Sequence, residues 1–262
     1  DKWYPLVVDK EHGGYYSSVK HDFSLGEEHD KMIVTQARHI WSNAVAARDY
    51  PGKKEYLDYA AHGFEFLKNV MWDHENGGFH NLVTKQGEPI LKEGEEKTAY
   101  GNSFAIYGLA AYYSASGNEE ALDLAKNAFF WLEVHSHDPV NKGYFNHMKL
   151  NGSLHSRNKD TQSTSDLGYK DQNSSIHLLE AFTELYHVWP DKLLAERLEE
   201  LLVIIRDTIV AEEGYMRLFF EEDWTPVSFR GLGRDEIDKH YYLDHVSFGR
   251  SEERRVGKEC ER

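Results

Sequence analysis

The chain has almost no cysteine: one residue in 262, at Cys260. A single thiol excludes an intrachain disulfide framework and suits a reducing compartment, so a cytoplasmic setting is expected. Positive charge is also in short supply. Against 45 Asp and Glu there are only 30 Lys and Arg, a formal net charge of −15. Binding a phosphate backbone requires a cationic face, so nucleic acid is not an expected partner. No apolar run approaches the roughly 20 residues that span a bilayer, which leaves no expected membrane partner. The 15 histidines are scattered without HxxxH or HExxH spacing, and no glycine-rich phosphate loop appears. Neither a metal nor a cofactor is expected.

Aromatic residues, by contrast, are abundant, with Trp 6, Tyr 16 and Phe 13. They fill cores and also line carbohydrate pockets. The phrase Asp9-Lys-Glu-His-Gly13-Gly14-Tyr15 returns as Asp73-His-Glu-Asn-Gly77-Gly78-Phe79, then as Asp138-Pro-Val-Asn-Lys-Gly143-Tyr144. A weaker echo follows at Glu212-Glu213-Gly214-Tyr215. Gly14 and Gly78 are 64 residues apart, Gly78 and Gly143 are 65, and Gly143 and Gly214 are 71. A period of that size marks an internal repeat.

Between these marks the apolar spacing is helical, two helices at a time. The predicted pairs are Lys31–Arg48 with Glu55–Trp72, Lys97–Ser114 with Asn118–His135, and Asp171–Val188 with Asp191–Val210. First helices are aromatic and short of charge, so they must be enclosed, whereas second helices carry a charged face toward water. Hairpins of inner and outer helices joined by Gly-aromatic turns build an all-α (α/α)6 toroid. Six hairpins close such a barrel. Three are legible, so the chain is expected to hold an incomplete barrel over residues 1–249. From Arg250 the text loses its periodicity and resembles translated adapter sequence, so residues 250–262 are read as a non-native tail.

Two stretches draw attention as a site. In Lys170–Tyr186, Asn173 and His177 stand one helical turn apart on the same face. That spacing fits a polar pocket and fits a half-buried histidine on an ordinary amphipathic helix equally well. The polar segment Asn151–Lys170 precedes it, where it serves either as a pocket rim or as a solvated connector.

The phrases KMIVTQARHIW (Lys31–Trp41), KTAYGNSFAIYGLAAYY (Lys97–Tyr113), KDQNSSIHLLEAFTELY (Lys170–Tyr186) and FFEEDWTP (Phe219–Pro226) resemble the N-acylglucosamine 2-epimerase family. They are most similar to its cellobiose (mannobiose) 2-epimerase branch, in the same order and over nearly all of Trp3–Gly249. The resemblance implies reversible epimerisation at C2 of a reducing-end sugar. The ring opens, a base removes the C2 proton, a cis-enediolate forms, and rotation about C2–C3 lets an acid return the proton to the other face. Such chemistry needs bases near neutrality and a fixed cation or donor at the enediolate oxygen.

By the same resemblance, Arg38 is the substrate-facing arginine and His177 is the catalytic histidine that polarises the sugar near O1/O5. Asn173 binds sugar, Tyr100 and Phe104 form a wall, and Asp166 contributes from the rim. Trp41 either backs Arg38 or belongs to the core. The family phrase that supplies a catalytic histidine begins Ser-Phe-Gly, but here Ser247-Phe248-Gly249 is followed by Arg250. A second catalytic histidine belongs to sequence this chain does not contain, so no epimerase activity is expected of it. The expected partner is a mono- or disaccharide, and the chain a monomer or homodimer. Competing readings are an N-acetylglucosamine or mannose epimerase, an (α/α)6 glycoside hydrolase using Asp166, Asp171, Glu180 or Asp223, and a non-catalytic sugar-binding protein.

Overall fold

A computed structural model describes residues 2–244, 246 and 247. Six long helices form three hairpins: α1 (Ile33–Asp49) with α2 (Glu55–Phe66), α3 (Ala99–Ser116) with α4 (Glu119–His135), and α5 (Gln172–Val188) with α6 (Lys192–Ile204). The helices α1, α3 and α5 pack side by side as an inner layer, and each outer helix lies on its own partner. This is the arrangement of an α/α toroid. Helix α3 sits between α1 and α5, and buried residues occur on every side of it, from Ala99 to Tyr112. Its Gly108 lies against α1, where a Cβ would come within 2.7 Å of the Ala37 carbonyl oxygen. One continuous core runs from Val7 to Leu201.

The helix boundaries differ from the sequence reading at both ends. Lys31–Met32, Lys97–Thr98 and Lys170–Asp171 are short strands, β1, β3 and β5, each leading directly into an inner helix. They pair antiparallel with β2 (Leu82–Val83), β4 (His147–Met148) and β7 (Phe219–Phe220) respectively. A further pair joins β6 (Met216–Arg217) to β8 (Val246–Ser247), and the short helices α7 (Arg234–Lys239) and α8 (Tyr241–Asp244) lie between β7 and β8. Helices α2 and α6 each end in a wider π turn, at Leu67–Met71 and Ile205–Ile209. Periodicity placed the helices but could not see the strands, because two residues are too few to show alternation.

The repeated Gly-aromatic phrase has a partner that sequence reading did not identify. Each phrase opens with an aspartate whose carboxylate accepts hydrogen bonds from backbone N–H groups of its own turn. The lysine heading the inner helix then buries its ammonium against that carboxylate. Lys31 Nζ lies 2.8 Å from Asp9, Lys97 Nζ 2.7 Å from Asp73, and Lys170 Nζ 2.7 Å from Asp138. Each ammonium also donates to two carbonyls: those of Gly13 and Lys85, of Gly77 and Leu150, and of Lys142 and Glu222. An aromatic ring covers each node, from Phe66, Trp131 and Trp224 in turn.

With three acceptors per ammonium and several donors per carboxylate, these buried charges are compensated. The lysine and the turn's hydrogen bonds hold all three aspartates below the usual carboxylate range against the opposing effect of burial, Asp138 at about 2. At Gly214 the phrase lacks the aspartate, and a shorter hairpin forms in which Ala211 and Tyr215 pair through their backbones. In the third repeat the spacing from aspartate to lysine grows to 32 residues, from 22 and 24. The longer interval accommodates the polar segment 151–169.

Candidate active site

The nodes put the three inner helices in register, and that register explains the site. Seven residues after Lys31, Lys97 and Lys170 stand Arg38, Phe104 and His177. These three form a row across the layer. The Arg38 guanidinium carbon lies 4.6 Å from the centre of the Phe104 ring, and the Phe104 and His177 rings are 4.6 Å apart. Four residues nearer the nodes, Tyr100 leans edge-on against both rings, 5.1 Å from Phe104 and 5.2 Å from His177. At the same repeat position on α5 is Asn173, exposed on the first turn, one turn before His177. Arg38, Tyr100, Phe104 and His177 are thus brought into direct contact, with Asn173 beside them by its place on the helix.

The next position, ten residues after each lysine, holds Trp41, Tyr107 and Glu180. Trp41 stacks on Tyr107 with ring centres 5.1 Å apart and planes 13° off parallel. Its half-buried ring packs against the main core, as the core reading held, and it also continues the aromatic wall. The Glu180 carboxylate lies 2.7 Å from His177 Nδ1. A carboxylate only accepts, so Nδ1 carries the hydrogen and the ring is held in one orientation. Burial, then the Glu184 and Glu180 carboxylates, push the Tyr107 hydroxyl up to about 12, with Arg38 opposing. Glu180, Glu184 and Tyr107 were absent from the epimerase reading of the site. The repeat register could have found all three, since they continue the stripes that begin at Arg38, Phe104 and His177.

Asp166 stands apart from this row, on the rim segment. Its carboxylate pairs with His147 Nε2 at 3.6 Å, beside Asn146, whose side-chain oxygen accepts from the Tyr100 backbone N–H. Despite burial, the charged His147 holds the Asp166 carboxyl below its ordinary value. Ser247 is described, but Arg250 and Cys260 lie outside the described residues. Among the described residues no group of His, Cys, Asp and Glu has the arrangement to hold a metal ion, and no helix is long and apolar enough to cross a membrane. A separate surface hollow of about 540 Å³, lined by Glu75, Asn76, Glu93, Glu96, Lys149 and His155 among others, contains none of the cleft residues.

The sequence and the fold have close parallels among known proteins. The chain is 33% identical to a cellobiose 2-epimerase of Ruminococcus albus over 245 residues, covering 91% of this chain and 60% of that protein. It is 31% identical over 227 residues to the cellobiose 2-epimerase of Bacteroides fragilis, covering 85% of this chain and 56% of that one. Its fold superposes on cellobiose 2-epimerase from Bacillus thermoamylovorans with a TM-score of 0.76 at 27% identity, covering 86% of this chain and 57% of the other. The chain therefore spans little more than half the length of the relatives it matches. The family profile described as N-acylglucosamine 2-epimerase (GlcNAc 2-epimerase) matches residues 14–236, an interval that includes all three hairpins and every cleft residue named above. The chain belongs to the N-acylglucosamine 2-epimerase family.

Proposed function

We propose that this chain carries the sugar-holding part of a site for reversible C2 epimerisation of the reducing-end sugar of a β-1,4 disaccharide of the cellobiose or mannobiose type. The contact row Arg38–Phe104–His177 carries the reading, supported by the family and by the printed names of the relatives. Phe104, Tyr100 and the Trp41–Tyr107 stack offer flat apolar faces to the C–H side of a sugar ring. Arg38, held over Phe104, supplies the fixed positive charge that an enediolate oxygen requires once the C2 proton has left. Glu180 on Nδ1 makes Nε2 the atom that His177 gives to the sugar near O1/O5, where proton transfer opens the ring. Asn173 and Asp166 hold hydroxyl groups in this reading.

The two proton-transfer histidines implied by the family resemblance have no counterpart among the described cleft residues, and in the sequence Arg250 follows Ser247-Phe248-Gly249 where the resemblance implies one of them. The behaviour proposed for this chain is therefore sugar binding without C2 proton exchange. Calorimetric titration with cellobiose, mannobiose and N-acetylglucosamine, paired with NMR of the same sugars in D2O, tests both parts. Binding of the disaccharides with no deuterium entering C2 is the expected result. Absence of binding, or cleavage to monosaccharides, overturns the epimerase reading. Deuteration at C2 overturns the binding-only part alone.

A further inference from the structure

We propose that His147 is a positioning residue: its imidazolium ties Asp166, and with it the rim segment 151–169, to the mouth of the cleft. The inference rests on the sugar-holding reading for its functional meaning, but its geometry stands independently. His147 lies on β4, and Nδ1 contacts the Gly94 carbonyl oxygen at 2.7 Å. A carbonyl only accepts, so Nδ1 carries a hydrogen in every protonation state and Nε2 alone changes. Two groups lie near Nε2: the Asp166 carboxylate at 3.6 Å and the Asn146 amide nitrogen at 3.4 Å. Protonated, Nε2 attracts Asp166. Neutral, it accepts from Asn146, whose side-chain oxygen is already bonded to the Tyr100 backbone on the pocket wall.

Other contacts hold the rim beside this junction. His155 Nε2 meets Glu96 at 3.1 Å, a second histidine–carboxylate link between the rim segment and the loop before β3. Leu167 lies so close to Gly94 that an added Cβ there would sit 2.6 Å from it. Within the rim, the Arg157 guanidinium donates to the Ser165 and Leu167 carbonyls and so fixes the backbone on both sides of Asp166. The charged and titratable groups acting on His147 are Asp166 from the rim and the buried Asp171 at the head of α5, while Tyr242 approaches Asp166 from α8. Burial of His147 opposes its charge, but the two aspartates and the Gly94 carbonyl outweigh it and raise its pKa above 6.5. The attachment is therefore complete below about pH 6.5 and fades as pH rises through the higher folded value. It also fades in acid, as Asp166 protonates.

The test is amide hydrogen exchange of the full chain across pH 5.5 to 9, with wild type, His147→Gln, Asp166→Asn and the double variant. Glutamine can still donate to Gly94 but carries no charge. Expected is roughly tenfold faster exchange at the Tyr169 amide, which bonds to the Asp166 carbonyl, in either single variant at low pH. No further change is expected in the double variant, and α3 amides should be unaffected. The wild-type difference should vanish at high pH, beyond the intrinsic rise in exchange. Additive effects, or a rim whose exchange ignores His147→Gln at every pH, overturn the inference. Mannobiose titration of the same variants separates the two readings. If wild type binds no sugar, the proposed function fails while the exchange data still decide the role of His147. If wild type binds, His147→Gln should weaken binding, and Asp166→Asn, which also alters a group that holds sugar hydroxyls, should weaken it by at least the same factor.

Discussion

The node lysines, on the short strands that lead into the three inner helices, and the cleft residues, on the helices themselves, stand seven positions apart, yet they follow different rules. At the node the residue type repeats: Lys31, Lys97 and Lys170 make the same three contacts and are each covered by an aromatic ring. At the cleft it diverges, with a cation on α1, an aromatic ring on α3 and an imidazole on α5. Repetition belongs where each hairpin must dock onto the next turn, a task that is the same three times over. Divergence belongs where, in the proposed function, three helices face one asymmetric sugar. The node fixes the height of each helix, and that fixed height brings unlike side chains level with one another.

The comparison breaks most visibly at the node. Replacing Lys97 with Met leaves Asp73 buried and uncompensated, and the loss should be about 3–5 kcal/mol, read as a lower denaturant midpoint. Substituting Arg38 with Met at the exposed cleft position should leave stability within about 0.5 kcal/mol while weakening disaccharide binding tenfold or more by calorimetry. If both substitutions cost the same stability, the division of labour is wrong.

Acid provides a reagent-free version of the same contrast. The folded pKa values of Asp9, Asp73 and Asp138 are depressed, so their contribution is fully present above the unfolded value near 3.8. It is lost as pH falls toward the folded values, about 2 for Asp138. Circular dichroism should show stability falling steeply below about pH 4, and less steeply in a Lys97→Met, Asp73→Leu double variant.

The smallest expected effect lies in the third turn, where Lys142 adopts φ +68° at the place filled by Gly13 and Gly77 in the other repeats. Lys142→Gly relieves that conformation and should raise stability by about 0.5–1 kcal/mol in the same denaturation assay, keeping the carbonyl that Lys170 binds.

Much of this was legible in the sequence. The Gly-aromatic phrase gave the repeat, the apolar period gave six helices within a few residues, and Asn173 with His177 marked a polar face. The node lysines were not legible. Their aspartates lie 22 to 32 residues earlier, and a lysine before an apolar helix reads as solvent-facing until the turn folds over it. Glu180 was read only as one acid among many, because its bond to His177 depends on rotamers that spacing does not specify. Asp166 could be named, but the His147 facing it lies across a strand pair and a loop, beyond the reach of helical periodicity.

The most direct test of the central claim is an NMR titration of the isotopically labelled chain with mannobiose. Shifts concentrated at Tyr100, Phe104, Asn173 and His177, with the Arg38 side chain and without movement of Lys31 or Lys97, are the predicted result. Shifts confined to the hollow around Glu75 and Glu96, or no shifts at all, would contradict it.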